Sequence, residues 1–192
     1  MIQETRTRLL RAGRAAFAQL GFAKTSMDEL TASVGLTRGA LYHHFGDKRG
    51  LFQAVVDQMD TEMALAAKKS ASGAHTQWEQ LLAEGAAYIE MALQPDVQRI
   101  VLLDGPAVLG DPSRWPSQHG CLQSTSQAIE RLISDGVVAP VAPEAAARLL
   151  NGAALNAALW VAAEAEPLAV LPAAVSAFQR LARGLLSINR DS

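Results

Sequence analysis

An all-α fold of about nine helices is predicted by three features of this 192-residue chain. Apolar residues recur at three- and four-residue spacing in one segment after another, the period of a helix with one buried face. No stretch alternates apolar and polar residues between turns, as a half-buried strand would. The breaks between periodic segments are short and fall at glycine, proline and serine. With 49% hydrophobic and 5% aromatic residues, the core is expected to be aliphatic and alanine-rich. The length suits one domain, or a small module joined to a larger one.

The first helix is expected to run to Gly21, with Leu10, Gly13, Phe17 and Leu20 along one face. Gly21 suits the left-handed position that ends a helix, and Phe22 can cover that end. Gly13 costs about 0.5–1 kcal/mol relative to alanine in a helix, so a second helix is expected to come close there. In "KTSMDELTASVGLT", Thr25 and Ser26 each precede an acid by three residues, which predicts a capped helix start. Met27, Leu30 and Val34 form its apolar stripe, and Gly35 a turn. Thr37 caps the next short helix, whose buried face is Leu41 and Phe45. Asp47 caps a longer fourth helix with Leu51, Val55, Met59, Glu62 or Met63, and Ala66 along one side.

After the break "SASGAH" come a helix over 76–93 and a short helix in "QPDVQRIVLLDGPAVLGDP". A further helix over 115–136 ends at Gly136, "VVAPVAP" links, and two last helices cover 144–165 and 167–188.

Two short helices joined by a glycine turn are the pattern of a helix-turn-helix, whose second helix enters the DNA major groove. With Leu41 and Phe45 facing inward, Arg38, Gly39, Ala40 and His43 are left on the outer face. Arg38 can bridge guanine O6 and N7, Gly39 lets the backbone come close, and the Ala40 methyl can meet a thymine methyl. Tyr42, His44 and Lys48 can donate to phosphates. Lys24, Thr25, Ser26 and Thr37, at the starts of the two short helices, complete the expected DNA-contacting set. Charge agrees with this placement. Residues 1–50 hold eight basic and four acidic groups, and the remainder nine and fifteen, so a basic end sits on an acidic body.

The stretch 17–52 resembles the tetracycline-repressor (TetR) family of bacterial transcription regulators. The likeness is carried by Phe17, Gly21-Phe22, Thr25, Leu30, Gly35, Thr37, Gly39, Leu41-Tyr42, His44-Phe45, Lys48 and Leu51, and most specifically by "GALYHHF" followed by a lysine. Thr31 and Val34 stand where the family more often has alanine, which implies looser packing there. The resemblance implies a helix-turn-helix DNA-binding domain over 1–50 and a helical ligand-binding and dimerisation domain over 51–192. It implies a regulator released from a palindromic operator by a small-molecule inducer, with an activator or a corepressor-dependent regulator as the alternative.

The body has no motif of its own. Trp78, Tyr88, Met91, Trp115, His119, Asn156 and Trp160 are candidate pocket residues, together with Phe178, although each also suits plain core. Asn156, in an alanine-rich helix, needs a partner if it is buried. Leu149 and Ala153 on one helix, and Val175, Phe178, Leu181, Ala182 and Leu185 on the last, give residues 143–189 more apolar surface than one monomer would cover. A four-helix homodimer contact is the expected use.

Enzyme readings are weak. The adjacent His43 and His44 point about 100° apart on a helix and cannot share a metal as an i, i+4 pair does. His119-Gly120-Cys121 lacks an orienting third group. Gly105 and Gly110 are spaced like half a phosphate loop, but Asp111-Pro112 replaces the lysine and hydroxyl it needs. No metal or cofactor is expected, and a helical scaffold without DNA binding is the remaining alternative. A single cysteine, Cys121, excludes an intrachain disulfide. The start is not of signal-peptide type, and "GAALNAALWVAAEAE" is too short to span a bilayer. A cytoplasmic protein without membrane contact is expected.

Overall fold

A computed structural model describes residues 2–187. Among them are nine α-helices: α1 (Ile2–Lys24), α2 (Met27–Ser33), α3 (Arg38–Phe45), α4 (Lys48–Ser70), α5 (Gln77–Glu90), α6 (Gly105–Leu109), α7 (Pro116–Ser134), α8 (Pro143–Ala163) and α9 (Pro167–Arg183). A π-helical segment, Val97–Asp104, precedes α6. The described residues form no sheet, only an isolated bridge between Val138 and Leu186. Ile188 and Asn189, in the stretch expected to carry the dimer contact, lie outside the described residues.

Two compact units form. The first runs through Asp60 and takes in Gln94–Pro112. The second holds Thr61–Leu93 and, of the described residues, those from Ser113 onward. By packing, the N-terminal unit therefore reaches beyond residue 50 and recruits a segment from the middle of the chain.

In the first unit, α1 is broken at Gly21, whose φ of 75° and ψ of 168° are not helical. The buried face of α1 is Leu9, Gly13 and Phe17. Leu10 is only half-buried and Leu20 is 40% exposed, so the true stripe is shifted by one residue at its start. The close approach expected at Gly13 is present: a Cβ there would lie 3.2 Å from Leu51 Cδ2 of α4. Phe52 meets the rings of Phe17 and Phe22 edge-on, with centroids 5.0 Å apart, and Phe17 and Phe22 stack at 6.0 Å. Ser26 caps α2, accepting from the Glu29 amide. Thr31 is buried and donates to the carbonyls of Met27 and Asp28 at 2.9 and 3.1 Å. Its hydroxyl is thus satisfied within α2. Asp47 caps α4 by accepting from the Gly50 amide at 2.7 Å. Along α4 the buried side is Leu51, Phe52, Val55, Val56, Met59, Met63 and Ala67, with Ala66 exposed instead of buried.

Polar ties bind the recruited segment to α1. Arg14 Nη2 meets Asp96 Oδ2 at 2.7 Å. The Phe22 amide, freed by the break at Gly21, donates to Asp104 Oδ2 at 2.7 Å, and Arg99 Nε lies 3.3 Å from the same oxygen. Asp104→Ala would strand that half-buried amide. A loss of about 1–3 kcal/mol of stability is expected by chemical denaturation; an unchanged midpoint would show that water replaces the carboxylate at no cost.

In the second unit, α5, α7, α8 and α9 pack on one another. A reciprocal capping box between Thr76 and Glu79 starts α5. The core is Leu82, Ile89, Ile129, Leu132, Val161 and Phe178, filled out by small residues such as Ala147, Ala158 and Ala182.

Candidate nucleic-acid interface and ligand pocket

The second of the two short helices is held by its ends and by one deep contact. Thr37 Oγ1 accepts from the Ala40 amide at 3.2 Å, and Leu41 is fully buried. Phe45 is half-buried beneath the Arg6 guanidinium, 4.7 Å from its ring centroid. These contacts leave Thr37, Arg38, Gly39, Tyr42 and His43 exposed, with Ala40 and His44 half-buried beside them. The face expected to meet DNA is therefore open to solvent.

Arg38 is not idle on that face. Its guanidinium lies 3.2 Å from an Asp28 carboxylate oxygen and donates to the Tyr42 hydroxyl at 3.2 Å. The Tyr42 hydroxyl first, and the Asp28 carboxylate second, hold its pKa above the ordinary arginine value. Asp28 is the residue the sequence did not bring forward. In the sequence it carries only the signal of a helix-start acid, and no periodicity links it to Arg38, ten positions on. An anionic group beside the presumed base-reading arginine tends to repel phosphate and to orient the guanidinium.

Two other expected contacts face inward or are shared. Thr25 is buried and donates to the Gly21 carbonyl at 2.8 Å, so its hydroxyl locks the end of α1 and is not offered to DNA. Lys48 donates to the Ala23 carbonyl at 3.2 Å and lies 4.7 Å above the Phe22 ring. Partial burial lowers its pKa. Lys24 is exposed, while Ser26 is half-buried and engaged as a cap.

The second unit holds a partly open cavity of about 90 Å³. Of the residues expected to line it, Tyr88 and Phe178 do. Trp78 is half-buried away from it. Met91 and Trp115 belong to the core, and the Trp115 Nε1–H has no acceptor among the described residues. His119 is exposed, with Nδ1 3.2 Å from the Pro116 carbonyl. Asn156 is exposed and so needs no buried partner, and Trp160 donates to Glu164 at 2.8 Å on the surface of α8. The polar wall comes instead from Lys68, Gln118, Ser124, Thr125 and Asn151. The repeat of Gln118, Cys121 and Ser124-Thr125 along one side of α7 was a readable signal for it.

The exposed faces of α8 and α9 carry large apolar residues among polar ones. Leu149 and Trp160 on α8 are 76% and 44% exposed, and Leu168 and Leu181 on α9 are 73% and 70% exposed. Of the residues expected at a subunit contact, Leu149 and Leu181 are on the surface, while Ala153, Val175 and Leu185 are half-buried. Phe178 and Ala182 are buried inside the unit and line the cavity, so they do not belong to that outer face.

A short helix exposed beyond a tight turn, seated by a three-helix core, is the architecture of a helix-turn-helix DNA-binding protein. Residues 9–55 match the model described as bacterial regulatory proteins, tetR family, and residues 78–185 match the tetracyclin repressor-like C-terminal domain. The crystal structure of a TetR-family transcriptional regulator from Pectobacterium atrosepticum is 47% identical, with a TM-score of 0.88 over 98% of this chain and 97% of that one. The transcriptional regulator UidR of Escherichia coli K12 is 47% identical over 64 residues, 33% of this chain and 32% of that protein. TtgR of Pseudomonas putida is 40% identical over 57 residues, 30% of this chain and 27% of that protein. The chain thus spans only about a third of the length of these curated relatives. The chain belongs to the TetR family, whose members are transcriptional regulators and not enzymes. Regulators of this family bind DNA and effector ligands and act as dimers. Among the described residues no helix is long and apolar enough to cross a membrane.

Proposed function

We propose that this chain is a cytoplasmic, homodimeric transcriptional repressor that leaves a palindromic operator when a small molecule occupies the cavity of its second unit. The observation that carries the reading is α3: buried Leu41 and capping Thr37 hold it, and Arg38, Gly39 and His43 are exposed along one face. In this reading residues 1–50 contact DNA, and residues 51–192 bind the ligand and form the dimer. Two heads related by a twofold axis require recognition helices about 34–36 Å apart, or a multiple of that, to meet two half-sites. A ligand that favours another spacing lowers DNA affinity by mass action.

The course of the chain supports this coupling. Helix α4 gives Leu51, Phe52 and Val55 to the core of the first unit, and Ala64, Ala67 and Lys68 to the cavity wall of the second. From Tyr88 at the cavity, the chain leads within a few residues to Asp96, which pairs with Arg14. Two routes thus lead from the ligand site to the helices that position α3.

Selection of genomic fragments bound by the full chain would yield the operator. On that operator, Arg38→Ala should cost about 1–3 kcal/mol and relax the preference at one base position. Lys48→Ala should weaken all sequences alike and reduce the salt slope by about one. Fluorescence anisotropy against operator and random DNA separates the two. Equal loss on both DNAs for Arg38→Ala would remove its base-reading role.

A further inference from the structure

The cavity of the second unit is built from two unlike walls. On one, the Lys68 ammonium donates to Ser124 Oγ at 2.8 Å. The next residue, Thr125, donates to Asn151 Oδ1 at 3.1 Å. Lys68 comes from α4, the two hydroxyls from α7 and Asn151 from α8, so three helices bring two neighbouring hydrogen bonds to one wall. Several donors on this wall remain available. The ammonium keeps two N–H groups, the Asn151 oxygen is taken and its amide N–H groups remain, and Ser124 accepts and so keeps its O–H. Lys68 forms no ion pair among the described residues. The acid at the cavity, Glu84, accepts from Gln80 at 3.0 Å, one turn back along α5. It therefore does not neutralise Lys68 by contact.

The other wall is apolar and closely fitted. Leu82, Leu150 and Phe178 contribute to it. A Cβ at Gly85 would collide with Phe178 Cζ, so the ring occupies the space that any larger residue at 85 would fill. The cavity measures about 90 Å³. An enclosed apolar cavity of about 150 Å³ accommodates benzene; this one is smaller but partly open to solvent, so a single ring is the upper limit for the body of a ligand and would reach into the opening.

We propose that this cavity takes a small monocarboxylate whose apolar body is no larger than one six-membered ring. The carboxylate lies on Lys68 and Asn151, and the body lies against Leu82 and Phe178. This rests on the ligand-responsive reading above and names the class of its effector. Unpaired positive charge and surplus donors call for an acceptor that is itself charged. The apolar wall and the small volume exclude polyols, nucleotides and multi-ring compounds.

The test uses the full chain with three probes of nearly one shape: benzoate, neutral benzamide and cationic benzylamine. Binding is read by calorimetry and by thermal melting. Benzoate is expected to bind tightest and to raise the melting temperature most, and benzylamine to do neither. Lys68 is exposed, so Lys68→Met should leave the fold intact. It should weaken benzoate about tenfold, the share of one charge-assisted hydrogen bond, and change benzamide by less than about twofold. Benzamide or benzylamine binding as tightly as benzoate would overturn the class, as would a Lys68→Met chain that binds benzoate unchanged. Failure of all three probes at millimolar concentration would also overturn it. No DNA enters these measurements. A chain that holds its operator but ignores benzoate would lose the ligand class and keep the regulatory reading, and a chain that binds benzoate but no DNA would do the reverse.

Discussion

A chain carrying glutamate at both Leu149 and Leu181 is expected to run as a monomer and to lose its operator. The two leucines are 76% and 70% exposed on adjacent helices, so neither substitution removes a core contact within the chain. In the proposed dimer both would be covered. Each glutamate would then bury a charge without a partner, at a cost of several kcal/mol. Losing the second head removes the avidity of paired half-sites, about 10²–10⁴ in affinity. Sedimentation velocity reads the mass, circular dichroism the retained helix, and anisotropy the operator affinity. A helical, fully dimeric double variant that still binds its operator would place the subunit contact on another face.

Phe178→Ala should act in a different way. Three residues from Leu181 on the same helix, Phe178 is 5% exposed and its ring fills the space above Gly85. Truncating a buried phenylalanine costs about 3–5 kcal/mol, and the lower end applies where a cavity already adjoins the site. Urea unfolding should show this loss. Under native conditions at low denaturant the chain should remain dimeric, and the enlarged cavity should admit ligands bigger than one ring. Unchanged stability with dissociation into monomers would put Phe178 at the subunit contact after all.

The contrast between these two residues shows where sequence periodicity runs out. Helix α9 carries Leu168, Val170, Leu171, Val175, Phe178 and Leu181, which are spread around much of its circumference. When both an inner and an outer face are apolar, a 3.6-residue period no longer says which is which. The same limit moved the pocket. Large aromatic residues were the natural candidates, yet Trp115 fills core and Trp160 lies on the surface. The polar wall comes from Lys68, Ser124, Thr125 and Asn151, which meet only because three helices distant in sequence pack together.

What could be read from the chain alone is what depends on neighbours in sequence. Ser26, Thr37 and Asp47 cap helices through amides three residues ahead. Gly21 breaks α1 through its own φ, and Leu41 turns inward while Arg38, Gly39 and His43 stay outside by helical geometry. These are short-range interactions, so the exposed helix α3 was legible residue by residue. What needed the folded chain is every pairing between distant residues. Examples are Asp28 with Arg38, Asp104 with the Phe22 amide, Arg14 with Asp96, and Lys68 with Ser124. No local preference encodes such contacts. They arise when burial of apolar faces brings helices together, and each polar group then takes the partner that packing places within reach.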